Sequence, residues 1–96
     1  MLLYLLFLTL ARKWLGRAAM QDDYDALLLY AGLLLEGKGG EVDVPQGIKV
    51  LERAVERQNP DACVKLAEVL LDDAFGAVNH NRAYEILRYA SMELGP

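Results

Sequence analysis

Ninety-six residues, 54% of them apolar, make one small domain able to bury roughly two-thirds of its unfolded surface. A formal charge of −4 excludes a general nucleic-acid binder, whose phosphate contacts need a basic face. A single cysteine, Cys63, excludes an intrachain disulfide and reads as a small packing residue.

From the N-terminus, Met1–Leu10 is apolar apart from Thr9, and Arg12 and Lys13 close it off. It is about half the length of a membrane span, and it lacks the leading basic residues and cleavage site of a signal peptide. With Ala11–Met20 it predicts a first helix over roughly residues 2–20. Left bare in water, such a helix exposes more apolar surface than soluble monomers carry. Leu3, Leu6 and Phe7 are therefore candidate contact residues. Three destinations are open: packing over Leu28, Leu29 and Leu33 of the same chain, docking into another chain (a homodimer included), or contact with a membrane, the least favoured.

The second helix is predicted over 24–36, with Asp23 as N-cap, Asp25 in the first turn and the apolar run ALLLYAGLLL. The loop GKGGEV leads to a second cap, Asp43, spaced from Gln46 as in a capping box. A third helix follows over 44–57, with Val50, Leu51, Ala54 and Val55 facing its partner. The fourth, 60–73, starts at Asn59, Pro60 and Asp61. The loop DAFGAV and the cap Asn79 precede a fifth helix over 80–94, where Ile86, Leu87, Ala90 and Ser91 repeat the stripe of the third.

Asp23–Gln58 thus lies over Asn59–Leu94 without a gap, at a period of 36 residues. Ala31 meets Ala67, Leu34 and Leu35 meet Leu70 and Leu71, and Ala54 meets Ala90. Gly40 meets Gly76, which predicts a backbone conformation that a Cβ tolerates poorly there. The register also runs backwards, so that residues 11–20 read as the second helix of a preceding unit. A period of this size means stacked supersecondary units that bury their apolar faces on one another.

The order Ala26, Ala31, Leu34, Gly37, Gly39, Asp43, Gly47, Ala54 and Val55, kept in part as Ala62, Ala67, Leu70, Ala83, Ala90 and Ser91, resembles the Sel-one-like repeats, a branch of the tetratricopeptide-type helical solenoids. The second unit departs from that pattern with Asp73 and Phe75 at the loop glycines and Asn79 for Asp, and both units have leucine for the usual tyrosine. The resemblance covers about residues 11–94. It implies an all-α, right-handed α/α solenoid of about two and a half repeats and five helices. The single domain, 1–96, divides into 1–22, 23–58 and 59–94. It also implies an adaptor-like protein, of a kind common in bacteria, that binds other proteins along a curved groove.

In such arrays the first helix of each unit lines the inner face. Candidate groove residues are then Leu29, Leu33 and Glu36 in one unit and Lys65, Glu68, Val69 and Asp72 in the next. Tyr84, Tyr89 and Met92, with Leu94, sit on the last helix with no following unit to cover them, and are candidates for partner or self-association. No catalytic pair, metal-ligand spacing or cofactor motif is present: His80 stands alone, GKGG lacks the P-loop pattern, and Asp72 and Asp73 end a helix. The expectation is a protein–protein interaction module and not an enzyme, cytoplasmic in preference to periplasmic. The alternative is a membrane-tethered or exported assembly or immunity factor that uses the apolar N-terminus for targeting.

Overall fold

Asp23, Asp43, Asn59 and Asn79 each start a helix by accepting a backbone N–H from the first turn, and these four caps divide the chain. The computed structural model describes residues 1–94, without the side chains of residues 93 and 94, so the expected exposure of the Leu94 side chain falls outside what is described. Helices α1 (Leu2–Met20), α2 (Tyr24–Glu36), α3 (Val44–Glu56), α4 (Pro60–Leu71) and α5 (His80–Tyr89) are joined by short loops. A 3-10 turn, Asp73–Phe75, follows α4, and α5 runs into a π-helical turn, Ala90–Leu94. No strand occurs among the described residues.

Each helix packs on the next, and one core runs through all five. Its largest fully buried side chains include Leu27, Leu34, Leu51, Leu66 and Ile86, each worth about 1.5–3 kcal/mol of apolar burial. Fully buried alanines at positions 31, 54, 62 and 83 let the helix backbones approach closely. At Gly47 a Cβ would stand 2.9 Å from Leu35, which explains the glycine on the α2 side of α3.

The period of 36 is written into the backbone. Leu34 O accepts from Asp43 N and Leu70 O from Asn79 N, both at 2.8 Å. Ala54 O accepts from Asn59 N, and one period earlier Ala18 O accepts from Asp23 N, both at 3.3 Å. Asp22 and Gln58, also one period apart, share a left-handed φ of 61°. The turn out of α1 is therefore the turn out of α3, and the packing is consistent with a helical repeat.

Three local expectations are corrected. Gly40 does not take a positive φ; Gly37, Gly39 and Gly76 do, at 71°, 74° and 69°. Gly37 and Gly76 close their helices in the left-handed conformation, whereas a Cβ on Gly40 would meet the Arg12 guanidinium. The capping box at Asp43 is half formed: its carboxylate accepts from Gln46 N at 3.1 Å, while its own N–H goes to Leu34 O. Leu87 and Ser91 are exposed where their equivalents Leu51 and Val55 are buried, because nothing among the described residues packs on that side of α5.

Candidate partner-binding surfaces

On α2, Leu29 is 58% exposed, on the side of the helix that also carries Asp25 and Glu36. Leu33, one turn on, is half-buried, and Glu36 is exposed with its carboxylate 3.2 Å from Lys38 Nζ. On α4, Lys65 is half-buried, and Glu68 and Asp72 are exposed in a shallow depression that they share with Leu71 and Asp73. Val69 corrects the expected groove: it is 1% exposed and belongs to the core. Leu33 and Val69 are one period apart, and both sit at the edge of the face, beside the buried positions on their helices. Val69 therefore offers nothing to a partner.

Exposed apolar side chains nonetheless recur on these two helices, at Tyr24 and Leu29 of α2 and at Val64 and Leu71 of α4. The same two helices and the turn after α4 also carry exposed acidic groups, Asp25, Glu36, Asp61, Glu68, Asp72 and Asp73. Such a surface suits a partner that brings apolar side chains among cations.

A second feature lies on the side of α3 and α5, where the sequence reading placed no groove. A pocket of about 220 Å³ is lined by Ala19 and Met20 of α1 with Gln46, Lys49, Val50 and Arg53 of α3, among others. One period later, Val55 and Glu56 of α3 with Arg82, Glu85, Ile86 and Tyr89 of α5 line a pocket of about 380 Å³. The two share a floor of small or branched apolar residues and differ in charge, Lys49 being replaced by Glu85 and Met20 by Glu56. Arg82 crosses the second pocket, donating to both Glu52 carboxylate oxygens at 2.9 and 3.1 Å and to Glu85 at 3.3 Å. The hydrogen bond to Glu52 raises the Arg82 pKa further, so its charge is permanent. The period relates these two pockets through six equivalent residues but does not find either, and Gly16, Leu27 and Tyr30 line the first alone.

At the last described helix Tyr84 and Met92 are exposed, while Tyr89 is half-buried against the core. His80 stands beside Tyr84 with ring centroids 6.5 Å apart. Cys63 is fully buried, and burial pushes its thiol pKa up, away from thiolate chemistry. Among the described residues no cluster of three His, Cys, Asp or Glu side chains is placed to hold a metal.

At the other end, α1 leaves the body. Gly16 packs against the Tyr30 ring and Gly39 against the Leu8 backbone, so α1 runs antiparallel to α2 and passes the α2–α3 loop at Leu8. Met1–Phe7, including Leu3, Leu6 and Phe7, are all exposed and lie beyond it. The expected packing of this segment over Leu28, Leu29 and Leu33 is not formed, because the hairpin geometry carries the segment away from the middle of α2. No helix among the described residues is long and apolar enough to cross a membrane. No protein-family model, curated protein or solved structure matches the chain.

Proposed function

We propose that the chain is a protein-binding module, an α/α solenoid of the Sel-one-like kind acting as an adaptor, regulator or inhibitor and not as an enzyme. The observation that carries this reading is the exposed apolar residues on the first helix of each unit, Leu29 foremost, set among carboxylates. One period later position 29 is Lys65, so the repeat itself does not call for a leucine there. The partner expected there is a protein segment carrying both apolar and basic side chains. The exposed Tyr84 and Met92 at the far end of the molecule extend the interaction surface.

The test is a comparative capture experiment with the wild-type chain, Leu29→Glu and Lys65→Glu, followed by identification and purified-component binding of whatever is retained. The expected result is loss of at least tenfold in affinity for Leu29→Glu, since a buried interface leucine contributes on the order of 1.5–3 kcal/mol. The melting temperature should be unchanged, because position 29 is outside the core. Equal binding by all three proteins would remove the α2–α4 face from consideration.

A further inference from the structure

The first two turns of α1 are apolar in every direction. Leu3, Leu6, Phe7, Leu10 and Trp14 fall on one face of the helix by its 3.6-residue period and are all exposed. Tyr4 and Leu5 fall on the opposite face, the one that Leu8, Leu15 and Ala19 turn towards the body, yet they are still 59% and 54% exposed. That face has run out of protein to lie on. The molecule as a whole exposes 6387 Å², against about 5,500 Å² expected for a monomer of 10.7 kDa.

The charges on this element are of one sign. Residues 1–20 hold Arg12, Lys13 and Arg17 and no acid, while residues 21–96 hold the other seven Lys and Arg and all fourteen Asp and Glu. Lys13 and Arg17 lie on the same face as the apolar stripe, and the Arg17 guanidinium sits over the Trp14 ring, 4.9 Å from its centre. Arg12 points to the body side, its guanidinium within 3.4 Å of Lys38 O.

We propose that α1 docks onto an anionic lipid surface, with the Leu3–Phe7–Leu10–Trp14 stripe sunk into the boundary between headgroups and acyl chains. Two features favour this occupant over a second copy of the helix. A two-helix contact covers one face and leaves Tyr4 and Leu5, or Leu3 and Phe7, in water, whereas a helix tilted into a bilayer with its first turns deepest has every face covered. A self-contact through this stripe also brings Lys13 and Arg17 towards cations only, whereas anionic headgroups neutralise them. The helix thus enters the surface obliquely by its first turns and does not span it, in keeping with its length. The charge of −7 on residues 21–96 holds the acidic body, and with it the α2–α4 face, away from the headgroups.

Trp14, the only tryptophan and 60% exposed, is a built-in probe. The full chain is titrated with vesicles of phosphatidylcholine alone and of phosphatidylcholine with phosphatidylglycerol, following Trp14 emission and co-flotation, with circular dichroism as the folding check. The expected result is a blue shift and flotation with the anionic vesicles. Binding should be lost in Phe7→Glu and weakened roughly twenty- to thirty-fold in Lys13→Gln/Arg17→Gln, about fivefold for each basic residue. Leu29→Glu should float like the wild type, which separates this surface from the α2–α4 face. Failure of the wild type to bind anionic vesicles overturns the proposal, as does undiminished binding by Phe7→Glu. A dimer by light scattering that Phe7→Glu dissociates and that leaves the vesicles bare assigns the stripe to a second copy instead.

Discussion

Asp22 and Gln58 hold the same φ of 61° at equivalent turns, but they meet its cost differently. A residue with a Cβ in the left-handed region loses roughly 1–2 kcal/mol relative to its preferred backbone. Asp22 offsets this by accepting from Arg53 at 2.6 Å and Arg57 at 2.5 Å, two ion pairs reaching from α3 back to the end of α1. Such half-exposed pairs contribute about 0.2–1 kcal/mol each. Gln58, exposed at its turn, has the same backbone strain, and its uncharged amide forms no such ion pair. Gln58→Gly is therefore expected to stabilise the chain by about 0.5–1 kcal/mol, a rise of several degrees in the melting temperature for a domain of this size. Asp22→Gly relieves the same strain but loses both pairs, so its net effect should be near zero or unfavourable. Thermal melts of the two variants side by side decide it: a destabilised Gln58→Gly would mean that the left-handed turn carries no strain.

The helices begin where the sequence says, and their ends follow it less closely. Start signals are local: an Asp or Asn side chain reaches a backbone N–H two or three residues on, and nothing distant intervenes. Asn59 accepts from Asp61 and Ala62, at 2.9 and 3.3 Å, and Asn79 accepts from Arg82 at 3.0 Å. Replacing either by Ala should cost about 0.5–2 kcal/mol. The two losses should look different. Asn59→Ala opens the start of an interior helix and should lower the single unfolding transition, whereas Asn79→Ala should fray α5 in advance of it, visible as a sloping helical baseline in circular dichroism. One superposable shift for both variants would mean that α5 is as firmly held as α4.

Ends were less legible at the same scale. The fourth helix was expected to reach residue 73 and stops at Leu71, because Asp72 leaves the helix at ψ 118° and caps the 3-10 turn through Ala74 N. The fifth was expected to run to residue 94 as one α-helix, but gives way to a π-helical turn after Tyr89. Among the candidate contact residues, those in the middle of the exposed face of α2 and α4, such as Leu29 and Glu68, are found on the surface. Leu33 and Val69 sit at its edge, and there a difference of a few tens of degrees in helix rotation decides between water and core. Periodicity fixes which side of a helix is apolar more sharply than it fixes where that side stops.

Across the whole molecule, burial is concentrated in the middle. Leu27, Leu34, Leu51 and Leu66 of α2, α3 and α4 are fully buried, whereas α1 before Leu8 is exposed all round and α5 leaves Tyr84 and Leu87 exposed. The Cα radius of gyration of 13.8 Å and extents of 45 × 28 × 18 Å describe an elongated body. In such a chain of neighbour-to-neighbour contacts, stability is graded along the sequence and not shared evenly. Amide hydrogen exchange should therefore rank the elements. The interior amides of α2, α3 and α4 should open only with global unfolding, α5 should open earlier, and residues 5–8 of α1 should exchange fastest of any helical segment, since isolated turns of this length are marginal in water. Adding anionic vesicles should protect residues 5–8 and leave α5 as it was. Protection of those residues equal to that of α3, in dilute solution without lipid, would mean that the apolar end of α1 is already covered.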